Sequence, residues 1–173
     1  MLPSLQNLVR TPYFDNYLKH LETDELFAAL TDSAEYFVRL LESIPNDLWR
    51  YRYAPEKWTI EEVVLHTIET ELIFNSRALR IAREETNQML DGFDENAYVV
   101  QTKLGGMSPT EIIDYFKAVR TSTTMMAKTF SERQLEKVGV ASGNRVQVSA
   151  LFFVTAGHTI HHGKVLQERY LSK

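Results

Sequence analysis

Trp58-Thr59-Ile60-Glu61-Glu62-Val63-Val64-Leu65-His66 is the stretch on which the fold turns. Thr59 followed three residues later by Glu62 is a capping box. The threonine hydroxyl accepts from the Glu62 N–H, and the Glu62 carboxylate reaches back to the Thr59 N–H. Beyond the box, Ile60, Val63, Val64, Ile68, Leu72, Phe74 and Ile81 recur at the spacing of one buried helix face. The pattern predicts a helix from Thr59 to about Thr86. His66 lies beside its apolar stripe, in a column with Glu62, Glu69, Thr70 and Ile73, a position suited to the rim of a pocket.

Ser108-Pro109-Thr110-Glu111 is a second capping box, with proline at the first helical position, where its missing N–H is harmless. It predicts a helix to about Phe130 that buries Ile112, Tyr115, Phe116, Val119 and Met126. Upstream, Leu26, Leu30, Ser33, Phe37, Leu40, Leu41 and Ile44 predict a helix over about Asp24 to Ser43. Thr23 reads as its N-cap, and Pro45 lies just past its end. A fourth long helix should run from near Ser149 to near Leu171.

Between these lie three kinds of connection. Tyr13, Phe14, Tyr17, Leu18 and Leu21 suggest a short helix after Pro12, and Trp49, Tyr51 and Tyr53 suggest a turn packed on the body. Residues 87–107, with Asp91-Gly92 and Gly105-Gly106 as breakers, form a connection long enough to cover a site or cross a bundle. Val138, Val140, Val146 and Val148 around Ser142-Gly143-Asn144 suggest a short hairpin or an extended loop. Four long helices with one long crossover predict an all-α, antiparallel four-helix bundle, a single domain over residues 1–173.

A chain of 173 residues with 44% hydrophobic and 24% charged side chains suits one folded domain. A net charge of −4 offers nucleic acid no basic field, so none is expected as a partner. With no cysteine there is no disulfide, thiolate site or thiol nucleophile, and any metal must sit on nitrogen and oxygen ligands. Met1 to Tyr13 has no apolar signal core, and the apolar run Ala150 to Val154 is too short to span a bilayer. A cytoplasmic location is the expectation, with no membrane partner.

The chemistry concentrates in Gly157-His158-Thr159-Ile160-His161-His162-Gly163, which holds three of the five histidines. On a wheel of ~100° per residue, His158 centres the stripe of Leu151, Val154, Thr155, Val165 and Leu166. His162 lies ~30° to one side and His161 ~70° to the other. Imidazoles at i and i+4 lie about 6 Å apart along the axis, and both can reach one metal ion. Buried histidines can instead hydrogen-bond within a core. Two neighbours on one face with His66 on another helix favour a metal, because burying neutral imidazoles without partners is costly. Gly157 and Gly163 inside a helix each cost about 1 kcal/mol relative to alanine, which points to the close approach of another helix or a ligand. His20 reads as a surface residue.

The two motifs, Trp58 to His66 and Gly157-His158-Thr159-Ile160-His161-His162-Gly163-Lys164-Val165-Leu166, resemble the DinB superfamily, including its YfiT-like members. The resemblance implies a four-helix bundle with a three-histidine metal site, usually zinc or nickel, and a homodimer. Carried over residue by residue, the ligands are His66, His158 and His162. The family often has glutamine where this chain has Val165 or Leu166, a departure just after the histidine doublet.

The resemblance further implies either transfer of a low-molecular-weight thiol, such as bacillithiol, mycothiol or glutathione, to an electrophile, or metal-dependent hydrolysis. A three-histidine metal with open positions can lower the pKa of a bound thiol or of water. Glu69 is the candidate general base, and His161 a candidate for orienting substrate. Asp91, Asp94 and Glu95 in the long connection are within conceivable reach. A non-catalytic, stress-related metal-binding or interaction protein is the remaining alternative. For a dimer, the residue-level support is a surplus of aromatics outside the helix stripes: Tyr13, Phe14, Trp49, Tyr51, Tyr53, Phe93 and Tyr98. Packing of loops onto their own bundle would account for them equally.

Overall fold

The computed structural model describes residues 4–84, 90–102 and 106–172. In chain order the elements are α1 (Asp15–Leu18), α2 (Leu26–Glu42), α3 (Ile60–Ala82), α4 (Glu95–Gln101) and α5 (Pro109–Lys128). They are followed by α6 (Glu132–Leu135), β1 (Val138–Ala141), β2 (Asn144–Gln147) and α7 (Val148–Val165). The protein is mostly helical, with one small two-stranded antiparallel sheet.

Both expected capping boxes form. Thr59 Oγ1 accepts from the Glu62 N–H at 3.2 Å and the Glu62 carboxylate accepts from the Thr59 N–H at 2.6 Å, opening α3. Ser108 and Glu111 exchange the same pair at the start of α5. The α2 start differs from expectation. Glu25 is its N-cap, and Thr23 Oγ1 instead accepts from the Glu25 N–H, two residues too early to cap the helix. The predicted end of α3 near Thr86 lies outside the described residues; α3 proper closes at Ala82, with Glu84 left-handed at φ 66°.

The hairpin expected between α5 and α7 is present, closed by Ser142 and Gly143, both with positive φ (50° and 74°) as a two-residue hairpin turn requires. The long connection carries structure of its own. Leu90 runs beside β1, and Asp94 caps the short helix α4. Residues 87–89 and 103–105 of that connection fall outside the described ones. The last helix ends as a π-helical segment, Leu166–Leu171, in place of continuous α-helix, and carries Leu166 and Tyr170 into the core.

α7 is the central element. Residues 148–159 are buried all round, because α2 packs on one side of α7 and α3 on another, while α5 packs against α2 and α3. The apolar core divides into two clusters. One holds Leu26, Leu30, Phe74, Phe130 and Phe153; the other holds Phe37, Trp49, Ile60, Phe116 and Leu166. Between them lies a polar layer to which each long helix contributes. Arg120 on α5 bonds Glu71 on α3 through Nε (2.9 Å) and Nη2 (3.0 Å). It also donates to the Leu30 carbonyl and Ser33 Oγ on α2 and to Thr159 Oγ1 on α7.

That layer explains two misplaced core residues. Leu72 and Tyr115 were expected inside and are exposed (42% and 37%). The inward positions beside them are taken by Glu71 on α3 and by Arg120 and Thr123 on α5, so a stripe drawn through apolar residues alone is tilted off the true face. Of the surplus aromatics, Trp49 is buried, and Tyr51 and Tyr53 pack edge-on against Tyr170. Phe14 packs on Phe74. Intramolecular packing accounts for these, whereas Tyr13 and Tyr98 stay exposed.

Candidate metal centre

α3 and α7 bring His66, His158 and His162 to one point. The His158 Nε2 atom lies 3.2 Å from His66 Nε2 and 3.0 Å from His162 Nε2. All three offer ligand atoms within 4.8 Å of one another, and no other histidine or carboxylate among the described residues joins them. His66 and His158 are buried and His162 is half-buried.

Three converging Nε2 atoms cannot all hydrogen-bond each other. A neutral imidazole carries one N–H and one lone pair, so His158 Nε2 can share a proton with only one of its two neighbours. A single tetrahedral ion with metal–nitrogen distances of ~2.0–2.1 Å separates its nitrogen ligands by a little over 3 Å, which is the spacing present. The set is therefore a fit for a divalent ion. The electrostatics agree: burial pushes the His66 pKa down to about 4 and holds His158 and His162 well below the ordinary imidazole value, so their lone pairs stay free for a ligand role.

The surroundings are built mostly of aromatic rings. Trp58, just before α3, packs on His66 with ring centroids 4.9 Å apart, and Tyr17 of α1 meets His158 edge-on at 5.1 Å. Gly157 makes the second contact feasible. A Cβ there would stand 2.6 Å from the Tyr17 carbonyl oxygen, so α1 lies directly on α7. Gly163 is as tightly met, by the Tyr36 ring. Both glycines thus answer to close approach, as their cost inside a helix suggested.

His161 is not among the converging nitrogens. Its ring meets those of His162 at 5.1 Å, Tyr17 at 5.3 Å and His20 at 5.6 Å. His20, expected at the surface, is half-buried. Its Nδ1 pairs with Lys164 Nζ at 3.3 Å, and its Nε2 is buried without a partner. Glu69 lies three residues past His66, half-buried, its carboxyl pushed upward by burial, and no hydrogen bond among the described residues ties it to the imidazoles. Of the loop acids, Glu95 on α4 is felt at the site, raising the His66 pKa against the larger effect of burial. Asp94 is spent as a helix cap, and Asp91 lends its backbone carbonyl to Arg77. The roles of Tyr17 and Trp58 as walls of the centre were missed; proximity in sequence to His66 was the one available signal, and for Tyr17 there was none.

Residues 29–166 match the sequence profile of the DinB superfamily. The chain belongs to the DinB superfamily. Among solved structures it is similar to YfiT from Bacillus subtilis, described as a probable metal-dependent hydrolase with an unusual four-helix bundle topology. The TM-score is 0.71 at 15% identity, over 99% of this chain and 95% of that one. It is also similar to the mycothiol-dependent maleylpyruvate isomerase (TM-score 0.69, 11% identity), covering 85% of this chain and 61% of the isomerase. At such identities the likeness carries the fold alone. No curated protein matches this DinB chain in sequence.

The lowered histidine pKa values give the metal-free DinB protein an acid weakness. Between about pH 4 and 6.5 the unfolded chain binds a proton at His66 that the folded chain refuses, so stability falls as pH falls through that window. His66 alone accounts for about 3 kcal/mol at the low end, and His158 and His162 act in the same direction. Urea unfolding of metal-stripped protein at pH 7, 5.5 and 4.5 measures the slope. A flat profile would contradict a buried neutral cluster.

Proposed function

We propose that the chain is a metal-dependent enzyme in which His66, His158 and His162 hold one divalent ion, zinc or nickel. Held by these three imidazoles, the ion would supply the activation of a low-molecular-weight thiol that is transferred to an electrophile. The observation that carries the reading is the convergence of three neutral Nε2 atoms without a fourth histidine or carboxylate among the described residues. Structural zinc sites are normally closed by four protein ligands, whereas catalytic ones keep a position open. When bound, such an ion lowers the pKa of a coordinated thiol or water.

The chain's own residues do the rest. The imidazoles fix the ion on two facing helices, and the Tyr17 and Trp58 rings keep bulk water from it, which strengthens every charge interaction inside. Glu69, with its raised carboxyl pKa and its place one turn from His66, is the residue to accept a proton from an incoming nucleophile. His161, neutral and flanked by Tyr17, is suited to orienting a substrate. Support for a thiol comes from the likeness to the mycothiol-dependent isomerase, and support for hydrolysis, the second reading, from the likeness to YfiT and from Glu69. Elemental analysis of purified protein, followed by incubation with a generic electrophile and a panel of low-molecular-weight thiols, tests both. One metal per chain with thiol-dependent, metal-dependent conjugation is expected. Metal-dependent ester cleavage without any thiol effect would move the assignment to hydrolysis.

We also propose a single domain whose four long helices form an antiparallel bundle, acting on small molecules in the cytoplasm without nucleic acid. No helix among the described residues is long and apolar enough to cross a membrane. A homodimer is part of the same reading. Helices α3 and α5, which pack together, expose Leu72, Leu79, Tyr115 and Met125, a better surface for a partner than the aromatics now known to pack inward. Stable dimers commonly bury more than ~2,000 Å² in total, so a dimer is expected to persist in sedimentation at low micromolar concentration. A single species of monomer mass would remove it.

A further inference from the structure

Away from the histidines, a cavity of about 340 Å³ opens between α3, the hairpin and the N-terminal segment. Its walls are mainly apolar, with Phe14, Phe74, Phe93 and Leu151 among them, and Arg77 is set into them. Arg77 is only 7% exposed. Its Nη2 donates to the Asp91 carbonyl at 2.6 Å and to Ser142 Oγ at 3.1 Å, and its guanidinium lies over the Phe74 ring, 5.7 Å from the centroid. No carboxylate among the described residues pairs with it. Arg120, also buried, is held by Glu71 at two nitrogens.

The contrast matters because a buried cation is normally matched by an anion. A guanidinium carries five N–H donors in a planar fork shaped for a carboxylate, and here Nε and Nη1 have no acceptor among the described residues. An aromatic wall around one cation that no carboxylate among the described residues matches is the lining of a pocket for an amphipathic anion.

We propose that this cavity binds a small molecule carrying a carboxylate on an aromatic or aliphatic body, the carboxylate bonded by Arg77 and the body lying against Phe14, Phe74 and Phe93. The site is separate from the histidines, since Arg77 lies eleven residues beyond His66 on α3, ~16 Å along the helix. The two are nonetheless adjoined. Tyr13 lines the cavity and bonds the Tyr17 hydroxyl at 3.0 Å, and Tyr17 rests on His158.

The test is calorimetric titration of the purified protein with phenylacetate and, in parallel, with phenylacetamide, which has the same shape and no charge. Phenylacetate is expected to bind at least about tenfold more tightly, the worth of a charge-assisted hydrogen bond. Arg77→Met should erase that difference and Arg77→Lys should keep part of it. Arg77 also ties α3 to the hairpin, so if Arg77→Met fails to fold, the acid-against-amide comparison on the intact protein decides. His162→Ala should leave phenylacetate binding unchanged, so failure of the metal reading and failure of this one are distinguishable. Equal binding of acid and amide, no binding of either at millimolar concentration, binding indifferent to Arg77→Met, or binding lost with His162→Ala would each overturn the proposal.

Discussion

Protein carrying His158→Ala or His162→Ala is expected to be purified without stoichiometric metal, while His161→Ala keeps it. His158 contacts both other nitrogens, so its loss leaves two imidazoles with no bridging partner. Removal of residues that merely orient a metal ligand weakens binding about 10- to 100-fold, and loss of one of three ligands should exceed the upper end of that range. His161 is the internal control, because it is adjacent in sequence to His162, lies on the same helix α7, and is not one of the converging ligand residues. The reverse outcome, with metal surviving His162→Ala and lost with His161→Ala, would sink the ligand assignment.

Arg120→Met is expected to cost about 3–5 kcal/mol, because it strands the Glu71 carboxylate in the core. For a chain of this size that corresponds to a fall in Tm of roughly 6–20 °C. The double variant Glu71→Leu with Arg120→Met should recover most of the loss, since a buried ion pair is seldom worth more than well-packed apolar residues. The hydroxyls around the pair can tolerate its removal. Ser33, Thr123 and Thr159 each also bond a carbonyl on their own helix, at 3.2, 3.0 and 3.0 Å. Thermal unfolding of the two singles and the double reads the coupling. A single replacement costing under about 1 kcal/mol would show that the layer contributes nothing to holding the helices in register.

The pair also shows where the sequence stopped being informative. Glu71 and Arg120 each sit among helical residues like any solvated charge, and what buries them is a partner 49 positions away. No periodicity within one helix reports that. The same blindness displaced Leu72 and Tyr115, whose helices turn polar residues inward. Local chemistry was legible: the capping boxes at Thr59 and Ser108 are made within four residues, and both appear as read. A third box, Ser131 with Gln134, opens α6 and was equally visible in the chain, as was Asp94 ahead of α4. The histidines could be grouped because i and i+4 on one helix is a local relation. Tyr17, His20 and Arg77 could not be placed, because each owes its position to contacts between distant segments.

X-ray absorption at the zinc edge of zinc-loaded protein tests the central claim most directly, before and after addition of a low-molecular-weight thiol. Three imidazole nitrogens at ~2.0–2.1 Å with one further light-atom ligand are expected, that ligand giving way to sulfur at ~2.3 Å when thiol is added. A sphere closed by four protein side chains and indifferent to thiol would contradict it.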